Sequence, residues 1–288
     1  MKGIVLAGGT GSRLWPITKS ISKQLVPVYD KPMIYYPIST LMLAGIREIM
    51  IITTPDDQES FQKLLGDGSN FGLKISFEIQ QQPSGLAQAL TIGEKFLDGN
   101  PCMLILGDNI FHGVGLGTEL SRSLPHSGAR VFTYEVSNPQ DYGVLNLGSD
   151  GSPKSIAEKP TNPTSNLAVT GLYFFDHKAS GIAKKILPSA RGELEIISVI
   201  DVYLKNNELA VTQLSRGTAW LDTGNADSMH DASSYVRIIE ERTGLKIGCP
   251  EEIAYRNGWI SQEKLFVIAE SMKKSSYGRY LESIIRNK

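Results

Sequence analysis

Hydrophobic positions in the first half of the chain fall into short continuous runs, separated by segments with helical spacing. The runs at 4–7, 46–53, 73–79, 103–106 and 130–134 have the length and β-branched character of buried strands. Between them, 38–44, 58–65, 86–97 and 117–124 repeat apolar residues three and four apart, which predicts helices. This alternation predicts an α/β fold with a central mixed, mostly parallel sheet flanked by helices. From about residue 142 the pattern breaks into shorter β-like pieces at 143–147, 155–157 and 172–175, punctuated by Asn, Pro and Gly, which predicts hairpins. Beyond Ala226 helical spacing returns, at 227–242, 250–257, 261–272 and 276–285, with Ser261 a suitable N-cap. The chain is therefore expected to divide into a core at 1–225 and a helical C-terminal segment at 226–288. Val236 and Ile239, and Leu265, Ile268 and Met272, form apolar stripes that must pack on the core or on another subunit.

Composition narrows the classes. The 288 residues carry 29 Lys+Arg against 30 Asp+Glu, a net charge of −1, which disfavours a nucleic-acid surface. No apolar run has the length of a membrane span. The first residues lead straight into a strand pattern without a leader-like segment, so a cytoplasmic protein is expected. Two cysteines, Cys102 and Cys249, are too few for a disulfide framework, and the four histidines lack zinc-site spacing.

Chemistry concentrates where strands end. The first strand pattern opens into Gly8-Gly9-Thr10-Gly11-Ser12-Arg13-Leu14, and Lys23-Gln24 follows. Glycines let successive N–H groups surround phosphate oxygens, and Arg13 and Lys23 can neutralise the remaining charge. A Walker loop would close with Gly-Lys-Ser/Thr, and a dinucleotide fingerprint would need a small residue where Leu14 stands. The strand at 103–106 ends in Gly107-Asp108-Asn109, an acidic residue placed as a Mg²⁺ ligand beside phosphates or as a turn cap. Asp222, in Trp220-Leu221-Asp222-Thr223-Gly224, suits a helix N-cap on its own residues. Glu158-Lys159-Pro160 alone also reads as a solvated turn, and Arg191 as a helix-entry ion pair.

The pattern G-G-x-G-x-R-L-x-P with a later K-x-L-x-P-V resembles the signature of the sugar-nucleotide pyrophosphorylases, which make NDP-sugars from an NTP and a sugar 1-phosphate. The resemblance runs in order along nearly the whole chain. It implies a Rossmann-like nucleotidyltransferase fold and Mg²⁺ held by Asp108 and Asp222. Arg13, Lys23, Asp108, Lys159 and Asp222 would be catalytic. Gly8, Gly9, Thr10, Gly11, Arg13, Lys23, Gln24, Gln80, Pro83, Gly85 and Asp108 would hold the nucleotide, the Gln80 amide matching the imide edge of thymine or uracil. Asn109, Tyr142, Gly143, Glu158, Lys159, Val169 and Arg191 would hold the sugar phosphate.

Phe111-His112-Gly113-Val114-Gly115-Leu116 and the segment from Gly248 to Tyr255 point to the branch that uses dTTP and glucose 1-phosphate. That branch implies a homotetramer and a regulatory nucleotide site near Gly115, Glu252 and Arg256, with neither nucleic acid nor membrane as partner. The chain departs from the family pattern at Ser84 and at Ile197-Ser198-Val199-Ile200, where T-D-x-N is usual, and Ser276 and Arg279 alter the final S-G-Y-G-Q segment. The alternatives are the same transfer with UTP or another sugar 1-phosphate, or a sensor that binds without turnover.

Overall fold

The computed structural model describes residues 1–123 and 127–286. Strand β1 (Lys2–Ala7) runs into the glycine turn. Two short paired strands, β2 (Pro27–Val28) and β3 (Lys31–Pro32), precede helix α1 (Tyr35–Leu43), strand β4 (Glu48–Thr53), helix α2 (Gln58–Leu65) and strand β5 (Lys74–Ile79). Then come α3 (Gln88–Ile92), α4 (Glu94–Leu97), β6 (Cys102–Leu106), β7 (Asn109–His112), α5 (Leu116–Arg122) and β8 (Ala129–Glu135). The second half adds β9 (Gly143–Leu147), β10 (Pro153–Glu158), β11 (Leu167–Phe175), α6 (Ala179–Ala183), α7 (Ile196–Lys205), β12 (Leu209–Gln213) and β13 (Ala219–Asp222). Helices α8 (Ala226–Thr243), α9 (Pro250–Arg256), α10 (Gln262–Ser271) and α11 (Ser276–Arg286) close the chain.

The main sheet runs β10-β9-β11-β6-β1-β4-β5, with β8 and β12 joined beside β11. It is parallel across β6, β1, β4 and β5, and antiparallel around β11. Strand alternation sorts the core into two layers. Val5, Ile49, Ile51, Met103 and Ile105 face Ile38, Phe61 and Leu65 of α1 and α2, and also Leu265, Tyr277 and Leu281 of the C-terminal helices. Ile4, Leu6, Met50, Ile52 and Leu104 face Leu90, Ala183 and Ile200 of α3, α6 and α7. Val236, Leu265 and Ile268 are thus buried within this chain, with Ile239 and Met272 packed against the same clusters. Ser261 caps α10 by accepting from Lys264 N.

Some expected elements take a different form. The helix expected over 86–97 is two, broken at Gly93, where a Cβ would press on Ile4 and Met50 side chains at 2.9 Å. The helix expected over 117–124 spans Leu116–Arg122, and its expected end at Leu124 lies outside the described residues. Helix α7 was not anticipated. Ile196, Ile197, Val199, Ile200 and Tyr203 bury one helical face, but its β-branched residues blur helical and strand signals. The cap of α8 is Asn225, which accepts from Ser228 N while Ser228 Oγ accepts from Asn225 N, so Asp222 is not the cap.

Asp176, buried at the end of β11, accepts bonds from the Tyr203 hydroxyl at 2.6 Å and from Gly128 N and Lys178 N, both at 2.9 Å. Burial works to raise its carboxyl, but these donors outweigh burial and hold it below the usual range. Its folded pKa is depressed, so its stabilisation is present above the unfolded value of about 4 and is lost as pH falls through the folded value. Asp176→Asn should flatten the fall in melting temperature below about pH 4. An acid limb as steep as the wild type's would show that Asp176 does not drive it.

Candidate active site

The site forms at the carboxyl ends of β1 and β6, where ligands collect in open α/β sheets. The two loops are adjacent because the strands pair in parallel, Leu6 opposite Leu106, and Gly107 N donates to Leu6 O. The glycine turn takes left-handed backbone at Gly9 and Gly11, φ 110° and 58°, which side chains resist. A 3₁₀ turn at Lys23–Leu25 then carries Lys23, almost buried, back over the loop. Its Nζ donates to Asp108 Oδ2 at 2.6 Å.

Asp222 reaches the same place by a separate route. Strands β7 and β13 form a two-stranded antiparallel ribbon outside the main sheet, with Asp222 opposite Asn109. Thr223 fastens it, donating to Asp108 O through its N–H at 3.1 Å and its hydroxyl at 2.8 Å. Burial, and then the Asp108 charge, push the Asp222 carboxyl up to about 6, against the pull of Lys23, Arg13 and Lys159. Two carboxylates that repel each other in a half-dry cleft suit a hard cation. Their oxygen-only donor set fits Mg²⁺, which completes its shell with substrate phosphates and water.

Across the cleft, β9 and β10 pair so that Glu158 stands opposite Gly143. Lys159 follows with φ 41°, a left-handed conformation unusual for a residue with a Cβ, and its N–H donates to Tyr142 O. Burial, then the neighbouring Glu195 charge, raise the Glu158 carboxyl, while Lys159 and Arg191 pull it down. The resulting cleft encloses about 370 Å³.

Gly8, Gly9, Thr10, Gly11, Arg13, Lys23, Gln24, Asp108, Asn109, Tyr142, Gly143, Glu158, Lys159, Val169 and Asp222 all line this one cleft. Gln80, Pro83, Gly85 and Arg191 do not line it. Gln80 is buried against Gly8, its amide donating to Gln88 Oε1 at 2.7 Å and to Gly85 O. Gly85 passes so close to Leu194 that a Cβ would meet its backbone at 2.4 Å. Arg191 pairs with Glu195 at 2.8 Å and with Glu158 at 3.4 Å, so it borders the sugar-side carboxylate. Glu252 and Arg256 also meet, at 2.7 Å, and Glu252 lines a separate hollow with His112 and Leu116, beside Gly115. Tyr173, Leu86, Ile196, Ile197 and Trp220, none of them given a role from the sequence, also line the cleft. Two of these had a signal in the sequence: Trp220 stands two residues before Asp222, and Ile197 opens the segment that departs from the family pattern.

The nucleotidyl transferase family model matches residues 2–237. A glucose-1-phosphate thymidylyltransferase of Mycobacterium tuberculosis is 54% identical over 285 residues, covering 99% of each chain. One from Neisseria meningitidis is 53% identical over 99% of this chain and 100% of its own. Among solved structures, a Bacillus anthracis chain assigned the same activity, in complex with sucrose, is 40% identical with a TM-score of 0.76, covering 82% of this chain and 95% of that one. A UDP-glucose pyrophosphorylase bound to UDP-glucose is 26% identical with a TM-score of 0.73, covering 83% and 98%. No helix among the described residues is long and apolar enough to cross a membrane.

Proposed function

The chain belongs to the nucleotidyl transferase family, among the glucose-1-phosphate thymidylyltransferases, and from that premise we propose that it joins dTTP to glucose 1-phosphate, giving dTDP-glucose and pyrophosphate. The observation that carries this reading is the meeting of four motifs in one cleft: the glycine turn, Lys23 on Asp108, Asp222 beside them, and Glu158-Lys159 opposite. A phosphate oxygen of the sugar phosphate attacks the α-phosphorus of dTTP in line. That P–O bond forms as the bond to the β-phosphate oxygen breaks, and pyrophosphate leaves with its electron pair. The nucleophile is already anionic, so no side chain need take a proton.

Catalysis is then positioning and charge neutralisation. N–H groups of the glycine turn, with Arg13 and Lys23, hold the triphosphate and the departing pyrophosphate. Lys159 orients the attacking phosphate from the opposite wall, and Glu158 accepts from sugar hydroxyls. Mg²⁺, held by Asp108 and Asp222, would supply charge stabilisation to the phosphates. Thymine and uracil share one imide edge, so UTP is expected as a slower substrate. The same reading takes the assembly as a homotetramer with a regulatory nucleotide site by Glu252 and Arg256, to be checked by sedimentation and by counting nucleotides bound per chain.

Pyrophosphate release should be measured over a matrix of the four NTPs and dTTP against several sugar 1-phosphates. The fastest pair should be dTTP with glucose 1-phosphate, and no release from folded protein with Mg²⁺ would sink the proposal. Within the same assay, Lys159→Ala should raise the KM for glucose 1-phosphate by roughly 10-fold or more, the loss of one charge-assisted contact, with less effect on kcat. A defect confined to kcat would move Lys159 to the pyrophosphate side.

A further inference from the structure

Asn109 is nearly fully buried between the main sheet and the ribbon. Two donors converge on its Oδ1: Trp220 Nε1 at 2.6 Å and Gly171 N at 3.2 Å. An indole N–H and a backbone N–H can only donate, so they fix which end of the amide is oxygen. The Nδ2 end is thereby aimed at Asp108 and donates to its Oδ1 at 2.9 Å. The other carboxylate oxygen takes the bond from Lys23, so Asp108 is clamped on both sides. Gly171 makes room for this, since a Cβ there would stand 2.6 Å from Asn109 Oδ1. Trp220 is itself held between Tyr142, 5.1 Å away between ring centroids, and Tyr134, edge-on at 5.9 Å.

We infer that Asn109 is a positioning residue through which Trp220 sets the Asp108 carboxylate, so that the aromatic wall of the cleft and its cation-side carboxylate move as one unit. The inference rests on the nucleotidyl-transfer reading above. A loosened indole frees the Asn109 amide to rotate, and Asp108 loses its second clamp. The wall therefore governs the chemical step as well as the shape of the cleft.

Trp220→Phe keeps an aromatic ring and removes the indole N–H. It should lower kcat for pyrophosphate release about tenfold, the scale of one lost hydrogen bond, while the KM for glucose 1-phosphate changes less than about threefold. Mn²⁺ affinity of the dTTP-bound protein, read by electron paramagnetic resonance, should fall by about threefold or more. Asn109→Ser leaves the ring in place and removes the amide, so it should reproduce both effects, and it decides the matter if Trp220→Phe loses its melting transition. Wild-type Mn²⁺ affinity in a folded variant, or a loss expressed only in the sugar-phosphate KM, would overturn the inference. Failure of the underlying functional reading would show separately, as a wild-type protein that binds Mn²⁺ but releases no pyrophosphate.

Discussion

Asp222→Asn should cut kcat by roughly 100-fold or more and leave the melting temperature near that of the wild type. The substitution keeps the size and shape of the side chain and removes its charge. The fold does not depend on that charge, because Asp222 is placed by its ribbon register opposite Asn109 and by the Thr223 bonds to Asp108 O. Taking the carboxylate away would remove half of the proposed cation-holding pair and with it a stabilising term worth several kcal/mol in the transition state. Asp108→Asn should be at least as severe, since it also breaks the 2.6 Å bridge to Lys23. Steady-state turnover at saturating Mg²⁺, beside a thermal melt, checks both. Near-normal turnover in either variant would make that aspartate structural.

The largest stability effect is expected far from the chemistry. Glu240 of α8 is buried and accepts from Lys31 Nζ at 2.9 Å, Lys246 Nζ at 2.6 Å and Ile247 N at 2.9 Å. Lys31 and Lys246 also meet Asp30, and Lys31 lies over the Tyr36 ring. Glu240→Ala leaves one buried and one part-buried ammonium group sharing the Asp30 carboxylate, and the Ile247 N–H without its acceptor. Breaking a buried ionic network by removing one member typically costs about 3–5 kcal/mol. For a chain of this size that is a fall in melting temperature on the order of 10 °C. Urea unfolding of the Ala and Gln variants measures it, and a loss below about 1 kcal/mol would show that the network contributes no more than surface charges do.

What could be read in advance follows physical rules that differ along the chain. The glycine turn and the Gly107-Asp108 strand end stood out because phosphate and metal chemistry need particular residue types at short spacing, whereas Glu158-Lys159 read as a solvated turn and stood out only through the family resemblance. The α/β layering was legible because β1, β4 and β6 are continuous apolar runs. The ribbon was not, since β7 and β13 have four residues each and their pairing is a long-range contact with no local signal. Nor could the spacing reveal that the Gln80 amide bonds to Gly85 O and to Gln88 at the start of α3. Tyr173 read as part of a short β-like piece and Ile197 only as a departure from the family pattern, yet both are core residues with one edge on the cleft.

The ribbon also sets when the proposed site can first be complete during synthesis. Asp108 follows a strand of the main sheet, while Asp222 lies roughly a hundred positions later on a strand that, among the described residues, pairs only with β7. A nascent chain can complete the pairing of β1, β4, β5 and β6 without bringing the two carboxylates together. The two carboxylates meet only after β13 has cleared the ribosome and closed a long loop, a contact whose entropic cost grows only slowly with its length. An unfinished chain therefore holds glycine turn and Lys23 without the second carboxylate. Products truncated before β13 would therefore lack the complete proposed site, whatever the state of the main sheet.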